Sequence, residues 1–325
     1  MDAENNNIVY VPKESYIEII GFTTYAYLTN KITKYSGIAG GRTRNLGEFI
    51  ESFIYGKLAE EAFKIFLKEK LSLEVLTELD IADFYYGAYL PDIVAIKRNE
   101  NYEWSKFWID VKETRRDQKW LLVSASSIRT RPYDGYGAVK VDLPQEHLLL
   151  WLSEFPLIKN KMSSEWFNRV IEVSEKIEKI SCTVQGFVTY QQLTSNENNA
   201  VESKGSAHYF NGEDPLYDPY DSSWSGTVVG KNYGYFLSDM QKIPNWEENL
   251  KIRFEKNQRI ISHVPIPKTK SGIPSKKMGL PSEYAREYED LRDAYQSYLE
   301  NQLNSIRNKN NGCIKRSTSW FSQKL

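Results

Sequence analysis

Two aspartates and a lysine lie at the edges of short apolar runs in "YLPDIVAIKRNENYEWSKFWIDVKET", residues 89–114. Asp92 follows a proline, and Asp110 and Lys112 belong to the second run. A buried carboxylate is costly unless it is hydrogen-bonded, paired or bound to a cation. Residues two apart in a strand face the same side, so Asp110 and Lys112 should project together. If residues 89–97 and 106–113 pair as a hairpin, Asp92 lies beside them.

This set of residue types fits the hydrolysis of a phosphodiester bond. Two neighbouring carboxylates repel each other and attract a divalent cation, and hard oxygen ligands suit Mg²⁺. A lysine beside such an ion can stabilise developing negative charge or help to position an attacking water. A structural alternative stays open, in which Asp110 and Lys112 form a cross-strand ion pair and Asp92 forms a turn after Pro91.

The "PD" at 91–92 and the "DVK" at 110–112 resemble the motif of the PD-(D/E)xK nuclease superfamily, and type II restriction endonucleases most of all. The resemblance covers residues 46–190, including the order of elements. It implies a Mg²⁺ cofactor held by Asp92, Asp110 and the main-chain carbonyl of Val111, with Lys112 acting at the attacking water. It implies no organic cofactor.

Nucleases of this superfamily often draw a further acidic residue from the preceding helix, which periodicity predicts here at 46–69. At 100° per residue Glu61 falls on the apolar face, so we prefer it as the additional catalytic and metal-binding carboxylate. Glu60 aligns instead with two lysines, a pattern typical of solvent-facing ion pairs. Glu60 and Glu51 remain alternatives.

The order of elements predicts an α/β protein with a restriction-endonuclease-like core, a mixed central β-sheet flanked by helices. We assign residues 1–195, including an N-terminal extension, to this core. Besides the long helix, strands are predicted at 73–79, 89–97, 106–113, 119–128 and 182–193, and helices at 144–155 and 163–180.

Residues 196–325 form a second region, loop-rich and then helical, which we expect to serve DNA recognition or dimerisation. A helix predicted to begin near Pro281 carries a stripe of tyrosines close to a heptad pattern. Palindromic DNA is most simply read by a two-fold dimer. The expected assembly is therefore a homodimer.

Basic residues outnumber acidic ones between residues 111 and 141, although the whole chain has a net charge of −1. Arginine suits phosphate contacts and bidentate reading of guanine, so this segment is the predicted double-stranded DNA contact. The residues assigned to it are Arg115, Arg116, Lys119, Arg129, Arg131 and Lys140.

Other sequence features argue against a disulfide-stabilised, a secreted or a membrane-spanning protein. The two cysteines, Cys182 and Cys313, lie far apart in no metal-ligand spacing, and neither a signal peptide nor a membrane-length apolar run is present. We expect a cytoplasmic protein with no membrane partner. The sequence thus predicts a Mg²⁺-dependent, sequence-specific endonuclease of double-stranded DNA. The alternatives are a repair or junction-cutting nuclease of the same superfamily and a non-catalytic DNA- or protein-binding module.

Overall fold

The computed structural model describes residues 7–28, 46–81, 91–99, 101–115, 117–130, 133–153, 160, 163–195, 206–212, 215–228 and 230–258. Strands and helices alternate along much of this part of the chain. In order, they are β1 (Ile8–Pro12), α1 (Lys13–Leu28), α2 (Leu46–Leu71), β2 (Val75–Thr77), α3 (Glu78–Ile81), β3 (Ile93–Arg98), β4 (Asn101–Trp104), β5 (Ile109–Thr114), β6 (Trp120–Ser124), α4 (Ala125–Thr130), β7 (Gly135–Asp142), α5 (His147–Ser153), α6 (Ser164–Ile177), β8 (Lys179–Thr189), α7 (Tyr190–Thr194), β9 (Ala207–Phe210), β10 (Pro215–Tyr217), β11 (Ser225–Thr227), β12 (Asn232–Phe236), α8 (Leu237–Met240) and α9 (Trp246–Lys256).

A mixed sheet lies at the centre, with the strand order β1-β8-β7-β5. β5 and β7 are parallel, whereas β7–β8 and β8–β1 are antiparallel. The predicted α/β class with a mixed central sheet is confirmed. β5 forms one edge of this sheet, which matters because it carries two of the predicted site residues.

Helix α2 packs across one face of the central sheet and is buried over most of its circumference. Ile54, Leu58 and Phe63 are fully buried there, and each such side chain contributes about 1.5–3 kcal/mol relative to exposure. The helix comes close to β7 at Gly137, where an added Cβ would lie 2.9 Å from the Phe63 ring. Glycine at this position therefore lets α2 lie directly on the sheet.

The other face of the central sheet is covered by a second sheet, of order β6-β12-β9, and by the short helices α7 and α8. Tyr136, Ala138 and Val188 from the central sheet pack there against residues of the second sheet. β6 precedes residue 195 and β12 follows it. The parts of the chain before and after the predicted boundary near residue 195 therefore both contribute strands to the second sheet.

The predicted hairpin between residues 89–97 and 106–113 was wrong. β3 pairs with β2 on one side and with β4 on the other. Asn99, at a φ of 45°, begins a tight turn into β4, so the chain reverses before residue 106 is reached. The second run forms β5 in the central sheet instead.

Several other boundaries differ from the prediction. The strand expected at 182–193 ends at Thr189, because the Thr189 side chain and Gln192 form a capping box that starts α7. The strand expected at 119–128 ends at Ser124, where α4 follows. The loop-rich stretch after residue 195 contains β9, β10 and β11, and β1 and α1 were not predicted. Within the described ranges, no helix combines the length and apolar character that crossing a membrane requires.

A buried tyrosine–histidine contact joins α1 to α5. The Tyr16 hydroxyl lies 2.8 Å from His147 Nδ1 and also donates to the main-chain carbonyl of His147 at 3.1 Å. Burial lowers the pKa of His147 from 6.5 to about 4. His147 is therefore neutral inside the protein at pH values where it would be protonated in the unfolded chain.

This contact predicts a loss of stability in mild acid. Between pH 6.5 and 4 the unfolded chain binds a proton that folded His147 does not, so the free energy of unfolding falls as the pH decreases. The fall amounts to at most about 3 kcal/mol. Urea denaturation of the wild type and His147→Gln from pH 7 to pH 4 measures it. The variant should give a flatter pH dependence, and parallel curves for the two proteins would contradict the assignment.

Candidate functional site

Asp92 lies against the free edge of β5. Its main-chain N–H donates to the carbonyl of Ile109 at 3.2 Å, and its carboxylate Oδ2 accepts from the main-chain N–H of Val111 at 2.5 Å. Asp92 thus occupies the place that a neighbouring strand would take. Although β3 does not pair with β5, this one residue brings the two predicted runs together.

Asp110 and Lys112 project from the same side of β5, as the strand alternation predicts. Lys112 Nζ lies 2.8 Å from Asp110. Asp110 is buried, and Lys112 is half-exposed. In a strand the N–H and C=O of one residue point to the same edge, so the Val111 carbonyl points toward Asp92. The structure therefore places Asp92, Asp110, Val111 and Lys112 together.

The carboxylate that α2 brings to this place is that of Glu60. The pKa of Asp92 is raised well above its ordinary value, first by burial and then by the negative charges of Glu60 and Asp110. Lys57 and Lys112 oppose this rise. The expectation that Glu60 faces solvent was wrong, because Glu60 and Lys57 are both buried and lie 2.8 Å apart.

The other two acidic candidates on α2 interact elsewhere. Glu61 is buried and lies 3.1 Å from Lys64, which also binds Asp80 at 2.8 Å. Glu51 is exposed and acts on Glu113, on the opposite side of β5 from Asp110. The preference for Glu61 followed from its position on the apolar face. Because nearly the whole circumference of α2 is buried, a position on the apolar face does not distinguish Glu61 from Glu60.

The donor chemistry of this cluster suits a hard divalent cation. It offers three carboxylates and a main-chain carbonyl, the oxygen ligands that Mg²⁺ prefers. Each carboxylate already has a partner: Val111 N–H for Asp92, Lys112 for Asp110 and Lys57 for Glu60. Among the described residues, no group of three or more His, Cys, Asp or Glu side chains is arranged to hold a metal ion. In this arrangement the three carboxylates are therefore not placed to share one ion.

Two residues near the cluster were not predicted from the sequence. Lys57 was one of the two lysines in the predicted solvent-facing pattern, although it is buried and the charge of its partner Glu60 acts on Asp92. Tyr136 is the cross-strand neighbour of Asp110 on β7, and its pKa is raised by burial and by the Asp110 charge. No sequence pattern pointed to Tyr136, because strand pairing determines this neighbour.

The predicted DNA-contacting residues are spread over several elements. Arg115 is exposed and lies 4.0 Å from Glu113, Lys119 is exposed and lies 3.6 Å from Asp218, and Lys140 is half-buried on β7. The backbone of Arg129 lies in α4, while its side chain, Arg116 and Arg131 lie outside the described residues.

Comparisons with known proteins add no family to this geometry. The chain matches no protein-family model, no curated protein and no solved structure.

The charge arrangement predicts that the negative charge of Glu60, and not that of Glu61, contributes to the raised pKa of Asp92. Replacing Glu60 by Gln removes a neighbouring negative charge and frees Lys57, so the pKa of Asp92 should fall. Glu61→Gln is the matched control, because Glu61 belongs to the Lys64–Asp80 group. Carboxyl-carbon NMR titration of Asp92 in the three proteins measures the effect.

The same two variants test which of Glu60 and Glu61 binds the cation. Isothermal titration with Mg²⁺ should show a loss of affinity of at least about tenfold for Glu60→Gln and little change for Glu61→Gln. The reverse order would place Glu61 at the site and overturn the role given to Glu60.

Proposed function

We propose that this protein is a Mg²⁺-dependent endonuclease that hydrolyses phosphodiester bonds of double-stranded DNA at a specific sequence, in the manner of a type II restriction enzyme. The observation that supports this proposal is the position of Asp92 beside Asp110 and Lys112, with the negative charge of Glu60 also acting on Asp92. Three separate elements contribute these groups: the turn before β3, the edge strand β5 and the helix α2.

The burial of Asp92 close to other carboxylates is energetically unfavourable, and this favours a functional site over a purely structural ion pair. A structural role needs only Asp110 and Lys112, which already lie 2.8 Å apart. Asp92 and Glu60 add further negative charges, and burial followed by repulsion from Glu60 and Asp110 raises the pKa of Asp92. Such perturbed carboxylates concentrate at sites where a cation or a substrate compensates them.

Each residue has a definite role in the proposed reaction. Asp92, Asp110, Glu60 and the Val111 carbonyl would hold Mg²⁺, which supplies neutralisation of phosphate charge and a more acidic bound water. Lys112 holds a positive charge next to Asp110 that can turn toward the phosphate and stabilise the charge that develops on it. Lys57 orients Glu60.

We also propose that the central sheet belongs to a restriction-endonuclease-like core. The order of elements supports this, because α2 precedes β3 and β5, and Asp92 before β3 lies at the edge of β5, which carries Asp110 and Lys112. Double-stranded DNA as partner, the cytoplasm as location and a homodimer remain parts of the proposal. The helix near Pro281 and its tyrosine stripe lie outside the described residues.

Substitutions on β5 test the assignment. Asp110→Asn and Lys112→Ala should each lower Mg²⁺-dependent plasmid cleavage by at least about a hundredfold, because the first weakens a proposed metal ligand and the second removes the positive charge proposed to stabilise the reacting phosphate. Lys112→Ala should keep its Mg²⁺ affinity. Glu113→Gln is the matched control, since Glu113 lies on the opposite side of the same strand and should leave cleavage unchanged.

Melting temperatures of all the variants distinguish loss of chemistry from loss of folding. A structural ion pair would instead give a lower melting temperature, with any activity proportional to the folded protein. Near wild-type cleavage by well-folded Asp110→Asn or Lys112→Ala would overturn the nuclease assignment at this site.

Sequence specificity has a separate test. Digestion of a long DNA of known sequence should give discrete fragments whose mapped ends share one sequence. A restriction enzyme requires this result, because base contacts limit cleavage to matching sites. Cleavage confined to branched or damaged DNA would favour the repair or junction-cutting nuclease instead.

A further inference from the structure

A cleft of about 560 Å³ opens at the far end of β5 from Asp110. Its floor is a row of cross-strand neighbours that crosses all four strands of the central sheet: Thr114, Lys140, Thr183 and Ile8. Asp110 and Thr114 lie on the same side of β5, since they are four residues apart. The cleft is therefore about 13 Å along the strand from the carboxylate cluster.

Lys140 places an unpaired positive charge at the floor of this cleft. It is half-buried, and within the described ranges it forms no ion pair or hydrogen bond. The acidic residue in the cleft wall, Asp218, already has partners other than Lys140. Its carboxylate accepts from the main-chain N–H groups of Tyr220 at 2.9 Å and Asp221 at 3.2 Å, and it lies 3.6 Å from Lys119. The cleft thus carries two lysines against one carboxylate.

Thr114, the neighbour of Lys140 on β5, contributes an unsatisfied hydroxyl. Its side chain is 1% exposed, and Oγ1 has no hydrogen-bond partner in the described part of the protein. A buried hydroxyl without a partner costs stability, so its presence beside an unpaired ammonium group indicates a ligand. Thr183 adds a second hydroxyl-bearing side chain on the other side of Lys140.

We propose that this cleft binds a phosphate group. An ammonium group and hydroxyl donors are the partners that phosphate oxygens take, and the charge-assisted bond to Lys140 supplies most of the affinity. Lys119 adds a second positive charge from the wall. The volume lies within the range of small-molecule sites and leaves room for a nucleoside attached to the phosphate. The phosphate belongs either to a DNA strand that also passes Asp110 or to a free nucleotide. Binding here uses neither Asp92 nor Asp110, so it is independent of cleavage.

Binding measurements on the full chain in EDTA test this site without any catalysis. The probes are inorganic phosphate, thymidine monophosphate and a short duplex oligonucleotide. The variants are Lys140→Gln, which removes the charge, and Thr114→Val, which keeps the shape but removes the hydroxyl. Lys176→Gln is the control, because Lys176 is exposed on α6, whose buried residues pack into the core on the α2 side of the sheet.

The expected result is a loss of at least about tenfold in affinity for Lys140→Gln, the size of one charge-assisted hydrogen bond, and a smaller loss for Thr114→Val. Lys176→Gln should bind as the wild type does. If Lys140→Gln loses affinity for the duplex, and its affinity depends less steeply on salt concentration by about one phosphate contact, DNA is the source of the phosphate. A loss confined to inorganic phosphate and thymidine monophosphate identifies a free nucleotide.

The proposal is overturned if the wild type binds none of the three probes. It is equally overturned if well-folded Lys140→Gln and Thr114→Val bind all three as tightly as the wild type. Lys140-dependent binding in a protein that cleaves no DNA would refute the nuclease assignment and leave the phosphate site standing.

Discussion

The carboxylate of Asp92 accepts a hydrogen bond from Val111, while the Asp92 N–H donates to Ile109. These bonds satisfy two outward main-chain groups of β5, an edge strand whose unpaired groups would otherwise be left exposed. They also join the sheet formed by β2, β3 and β4 to the central sheet. Because the same residue closes the edge and stands beside Asp110, the geometry of the site depends on the way the two sheets meet.

The burial of α2 imposes a second constraint on the site. Lys57, Glu60 and Glu61 lie on a helix that is surrounded by the core, so each charge must have a partner close by. Lys57 compensates Glu60, and Lys64 compensates Glu61. Glu60 nevertheless remains close enough to Asp92 to raise its pKa. The packing that stabilises the fold therefore also creates the electrostatic strain that a bound cation would relieve.

The two sides of β5 serve different purposes. Ile109 and Val111 pack into the core on the α2 side, whereas Asp110, Lys112 and Thr114 project to the other side. On that side the second sheet packs on Tyr136 and Ala138 of β7, which neighbour the start of β5, and the cleft lies at the other end of the strand. A single strand thus carries both the proposed catalytic residues and the proposed phosphate ligand, at a fixed separation along its length.

The sequence by itself determined what depends on local periodicity. The alternation of a strand puts Asp110 and Lys112 on one side of β5, and the order of elements gives the α/β class and the long helix α2. Tertiary structure alone decided which acidic residue of α2 places its charge near Asp92, because a helix buried on nearly all sides has no polar face from which its rotation can be predicted. It also decided that β3 pairs with β2 and β4, that Asp92 before β3 bonds to β5, and that Lys140 lies beside Thr114. Strand partners are chosen by contacts between residues distant in the chain, and local periodicity carries no information about them.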